Sequence, residues 1–109
     1  MNKGIFFIIL FLLSSSSFAE LPLKTYLEMK SENFTTSYIW GMARGMLWVS
    51  TVQEDAGGKA LFCLPNHKSL SGEDISNLLD REISKQIYKD SDPVELIFLS
   101  ALERNYPCN

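Results

Sequence analysis

The chain has 109 residues, a formal charge of −3 and only two cysteines. That length suits one small acidic domain. Net acidity without a Lys/Arg cluster excludes nucleic acid and anionic membrane surfaces as partners, because both bind through concentrated positive charge.

The first residues read as a signal peptide. Lys3 supplies the positive start, Ile5 through Leu13 the apolar run, and Ser17 and Ala19 the small residues that a signal peptidase requires. Cleavage is expected before Glu20, so residues 1–19 form the signal peptide and 20–109 the mature domain. The apolar run is far shorter than the roughly 20 residues that span a bilayer. No membrane association is therefore expected after cleavage. Removing residues 1–19 leaves 90, and losing Lys3 moves the formal charge from −3 to −4. A single core is marginal at this size, and a covalent staple helps. Cys63 and Cys108 allow one intramolecular pairing. If they join, closing the loop between them stabilises the domain by about 4 kcal/mol on the chain-entropy model. The alternative is two free or intermolecular thiols.

The mature chain reads as all-α, a small bundle of about four helices with one disulfide. A short helix lies between Leu21 and Lys30, with Leu23, Tyr26 and Leu27 able to share a face. A longer one is expected from Thr35 or Thr36, where a hydroxyl can cap the first amides. It runs through Tyr38, Ile39, Trp40, Met42, Met46, Leu47, Trp48 and Val49, a stretch whose only charge is Arg44, and the turn Asp55-Ala56-Gly57-Gly58 ends it. A helix apolar on nearly all sides predicts a buried central position. Lys59 to Ser69 looks irregular, anchored by Leu61, Phe62 and Cys63 and broken by Pro65. Ser71 can then cap an amphipathic helix with Glu73 and Asp74 in its first turn and Ile75, Leu78, Leu79, Ile83 and Ile87 on one face. After the polar connection Lys89-Asp90-Ser91-Asp92, Asp92 suits a cap with Pro93 at the first helical position. Val94, Ile97, Phe98, Ala101 and Leu102 then mark the inner face of a last helix, which Pro107 stops.

Residues for enzyme chemistry are scarce. His67 stands four positions from Cys63, but a thiol with one available partner in an exported chain is expected to be oxidised rather than nucleophilic. One histidine and two distant cysteines cannot supply a zinc ligand set, so no metal and no cofactor is expected. Glu73, Asp74, Asp80 and Glu82 read as helix-start charges and a solvated face. Asn33-Phe34-Thr35 matches a glycosylation sequon, a pattern common by chance.

Two features point to protein contact. Gly41 and Gly45 lie four apart on the central helix, where each costs roughly 1 kcal/mol relative to alanine. Something is expected to approach the backbone there, with packing inside the monomer favoured over a dimer seam. Trp40, Arg44 and Trp48 follow at i, i+4 and i+8, a stripe suited either to a homodimer or partner interface or to buried indoles with a snorkelling arginine.

The ordered set Ser37-Tyr38-Ile39-Trp40-Gly41, Phe62-Cys63-Leu64-Pro65, an amphipathic helix, an Asp-Pro helix start, and Ala101-Leu102 leading to Tyr106-Pro107-Cys108 resembles the Rap/Tai family. These periplasmic immunity proteins protect bacteria from amidase effectors delivered by type VI secretion. The resemblance covers about residues 34 to 108. Ser37 stands where a glycine is common, and Thr36 where some relatives carry a further cysteine. It implies a small helical inhibitor, often dimeric, that sits in the periplasm and blocks the active-site groove of a peptidoglycan-cleaving amidase. Such amidases resemble cysteine peptidases with a Cys/His pair, so a protruding acidic loop would meet the catalytic histidine. Two segments qualify: Glu54 and Asp55 with the glycine turn after them, and Asp90, Ser91 and Asp92. The second is favoured because it joins two helices and would be held rigidly. The competing class is a structural or chaperone-like envelope protein with no toxin partner; a hydrolase that uses His67 comes third.

Overall fold

A computed structural model of the protein describes residues 20–65 and 69–109. The expected signal peptide and His67 lie outside the described residues. The fold is all-α: α1 (Leu23–Glu28), α2 (Asn33–Asp55), α3 (Gly72–Ile83) and α4 (Val94–Asn105), closed by a Cys63–Cys108 disulfide. Among the described residues no helix is long and apolar enough to cross a membrane.

The core lies where α3 and α4 pack together and α2 crosses both. Ile75, Leu78 and Leu79 of α3 meet Val94, Ile97, Phe98, Ala101 and Leu102 of α4, all buried, as their spacing predicted. Leu23 and Tyr26 close one side from α1, and Phe62 and Leu70 close another from the irregular segment. Leu27, expected on the inner face of α1, points outward.

Helix ends follow local chemistry in two of the expected places. Ser71 and Asp74 form a reciprocal capping box: each side chain accepts the other's backbone N–H, at 3.1 and 3.0 Å. Gly57, at φ +76°, ends α2; its N–H donates to the Glu54 carbonyl and that of Gly58 to the Gln53 carbonyl, a Schellman arrangement.

Other ends depart from expectation. Helix α2 starts at Asn33, not at a threonine cap, and its N-cap residue Glu32 makes no side-chain cap. Thr35 is instead buried inside the first turn. Helix α3 stops at Ile83, because the chain turns through Gln86 at φ 57° and leaves Ile87 exposed. Asp92 does not cap α4. Its carboxylate accepts the Lys89 N–H at 2.8 Å, and Pro93 takes the N-cap position without a side-chain bond.

The central helix is the largest correction. It is not buried on all sides: α2 sinks only Thr35, Ile39, Ala43 and Ser50. Phe34, Tyr38, Trp40, Trp48, Val49 and Val52 stay exposed.

Candidate functional site

The acidic loop between α3 and α4 is built by the segment that follows residue 20. The N–H groups of Leu23 and Lys24 donate to the carbonyls of Asp92 and Asp90 at 2.8 and 3.0 Å, and the Val94 N–H donates to the Leu21 carbonyl at 2.8 Å. Pro22 and Pro93 form an antiparallel bridge between these bonds. Glu95, in the first turn of α4, accepts the Leu21 N–H with both carboxylate oxygens and the Tyr38 hydroxyl with Oε2. That hydrogen bond, helped by burial and the Glu95 charge, pushes the Tyr38 phenol up to about 12. One carboxylate thus ties Leu21, α2 and α4 together at the root of the loop. Asp90 and Ser91 project from it exposed, and the Asp90 carboxylate has no partner among the described residues.

The other acidic candidates are not a loop. Glu54 and Asp55 are the last residues of α2 and solvent-exposed. A Glu54 carboxylate oxygen lies within 4.8 Å of both disulfide sulfurs. That trio cannot ligate a metal through thiolates, since both sulfurs are spent on each other. Tyr38 meets the start of α4, while Cys63 donates its N–H to the Tyr106 carbonyl just past the end of α4. The two acidic regions therefore sit near opposite ends of α4, about 18 Å apart along a 12-residue helix.

Trp40, Arg44 and Trp48 have different surroundings. The Trp40 indole packs over Gly72, where an added Cβ would fall 2.5 Å from its ring, and its Nε1 donates to Ser76 Oγ at 3.4 Å. Arg44 and Trp48 instead border a shallow hollow with Leu47, Leu64 and Leu70. Gly41 and Gly45 are not covered from within the monomer. A Cβ at either would meet nothing within 4 Å.

A buried charge cluster was invisible to the sequence reading. Glu82, assigned there to a solvated face, is 1% exposed. It accepts from the Tyr88 hydroxyl at 2.7 Å and from Arg104 at 2.6 Å, and it pairs with Lys85 at 2.9 Å. Burial alone would raise this carboxyl. The Tyr88 and Lys85 hydrogen bonds and the Arg104 and Lys85 charges outweigh burial and hold it below its usual range. The cluster joins the end of α3 to the end of α4, and every oxygen of the acid is occupied. Its role is structural. Tyr26 plays a similar part, donating to Asp80 at 3.2 Å while Lys30 pairs with the same carboxylate at 3.0 Å. Burial, then the Asp80 charge, pushes this phenol well above its ordinary value.

A hollow of about 660 Å³ opens over α3 between Leu70, Asn77, Arg81 and Tyr106. Its acids are engaged: Asp74 in the capping box, and Asp80 with Lys30 and Tyr26. No thiol lines it among the described residues. No family model, curated protein or solved structure matches the chain.

Proposed function

We propose that the protein is a periplasmic immunity protein that binds a peptidoglycan amidase effector of type VI secretion and occludes its active-site groove. The chemistry belongs to the amidase; this chain supplies shape and charge. The observation that carries the reading is the bracing of the Asp90 loop. Three backbone hydrogen bonds from the 21–24 segment and the internal Asp92 bond hold it before any partner arrives. A loop fixed in advance loses little conformational freedom on binding, which an inhibitor inserted into a groove requires. The carboxylate of Asp90 is then presented toward a positively charged or histidine-bearing groove.

The sequence resemblance and the expected export signal support the setting, and a disulfide suits an oxidising compartment. The test is Asp90→Lys, which leaves the braced Asp92 untouched. Reversing one charge in a desolvated contact costs several kcal/mol of binding, so protection against the cognate amidase should collapse while the helical circular dichroism is unchanged. Full protection by the variant removes the loop from the mechanism.

A further inference from the structure

The Glu95 carboxylate has room for one more donor. It accepts the Leu21 N–H at 3.2 and 3.0 Å and the Tyr38 hydroxyl. A carboxylate offers about four lone-pair directions, so these bonds leave about one open. Glu95 is half-buried, with less water to fill that direction than a surface acid has. Among the described residues no lysine or arginine pairs with it. It is therefore held by uncharged donors alone, although a charged donor makes the stronger bond.

A cation can be made one residue away. Adjacent backbone nitrogens are separated by at most about 3.7 Å, which places the Glu20 nitrogen within about 7 Å of both Glu95 oxygens. Glu20 is exposed, and beside Glu95, whose hydrogen bond dominates there, its charge also acts on the Tyr38 hydroxyl. While a peptide bond joins Ala19 to Glu20, this nitrogen is a neutral amide. Cleavage before Glu20 changes it: water adds across the bond, Ala19 leaves with the new carboxylate, and Glu20 keeps the amine, which takes up a proton at neutral pH. Rotation about the Glu20 Cα–C bond then turns the ammonium toward Glu95 while the Leu21 N–H stays in place.

We propose that the α-ammonium of Glu20, created by removal of the signal peptide, closes onto the Glu95 carboxylate and clamps the 20–24 segment against the Asp90 loop. The clamp rests on the expected cut before Glu20. It deepens the proposed function, because the N–H groups of Leu23 and Lys24 in this segment are the ones that hold the loop carbonyls. The precursor has the same backbone bonds without the charge at their root, so the loop becomes fully braced only after export.

Two purified chains test this. One spans residues 20–109, which include every described helix, with a free amine on Glu20; the other retains Ser17-Phe18-Ala19, so that the Glu20 nitrogen is an amide. Hydrogen exchange of the Leu23 and Lys24 amides should be roughly threefold more protected in the first, the size of a partly exposed ion pair. Glu95→Gln should erase the difference. The other titratable groups on the elements packed here are the Glu20 side chain, Lys24, Tyr38, Lys89, Asp90 and Asp92. Pairing raises the amine above its ordinary range, so the difference is complete below that range and fades as pH climbs through the folded value. Equal protection in the two chains, or a difference that survives Glu95→Gln, would overturn the clamp while leaving the amidase reading intact, since no amidase enters the assay. Intact mass of exported material reads the cut separately, and a first residue other than Glu20 would overturn both the cut and the clamp.

Discussion

Replacing Glu82 with glutamine keeps the size of a side chain that is 1% exposed and removes its charge. At neutral pH the wild-type carboxylate receives one hydroxyl and two cationic groups. A fully buried pair broken on one side costs about 3 to 5 kcal/mol. Here Arg104 and Lys85 are about half exposed and can return to water, so the loss is reduced to about 2 kcal/mol. The carboxylate also sits in the last turn of α3, where the helix dipole opposes a negative charge, so its cations offset that cost. The pH dependence has a definite sign. Because the folded carboxyl is held below its unfolded value, its contribution is complete above the unfolded carboxylate range and fades as pH falls through the folded pKa. Urea unfolding followed by circular dichroism should therefore show wild type approaching Glu82→Gln as pH drops from neutral into the acid range. Equal stability of the two proteins at pH 7, or a constant gap between them down the acid range, would refute the assignment.

Reduction of Cys63–Cys108 frees a loop with a sequence separation of 45 and should cost up to about 4 kcal/mol, read as a lowered melting temperature. An unchanged melting temperature would deny the bond a structural role. Trp48→Ala, measured at concentrations too dilute for association, should shift folding stability by less than about 1 kcal/mol because the side chain is 69% exposed, against roughly 3 to 5 for a core tryptophan. Ser71→Ala removes half of a capping box and should cost about 1 kcal/mol in the same unfolding assay, whereas Ser71→Gly should cost only a few tenths.

What could be read from the chain was local. The Ser71 cap, the glycine stop after α2 and the inner faces of α3 and α4 each depend on residues a few positions apart, and all but Ile87 at the end of the α3 face stand as expected. With only two cysteines, pairing left few choices. Burial of Glu82 was hidden because its stabilisers, Lys85, Tyr88 and Arg104, converge from the connection after α3 and from the far end of α4. The exposure of α2 was hidden for another reason. An apolar helix surface reads the same whether its own core or another molecule is meant to cover it, and only the open space over Gly41 and Gly45 separates the two. In the acidic loop, the exposed Asp90 was legible, but the role of Asp92 was not. Its carboxylate had a cap and a turn within reach, and the turn won.

On the proposed reading the chain inhibits a cell-wall amidase, and titration of the purified protein into a peptidoglycan-hydrolysis assay of a type VI amidase effector tests this most directly. Stoichiometric loss of hydrolysis is expected, with an end point at one chain per amidase and a residual rate restored by Asp90→Lys. Undiminished hydrolysis at saturating protein would contradict it.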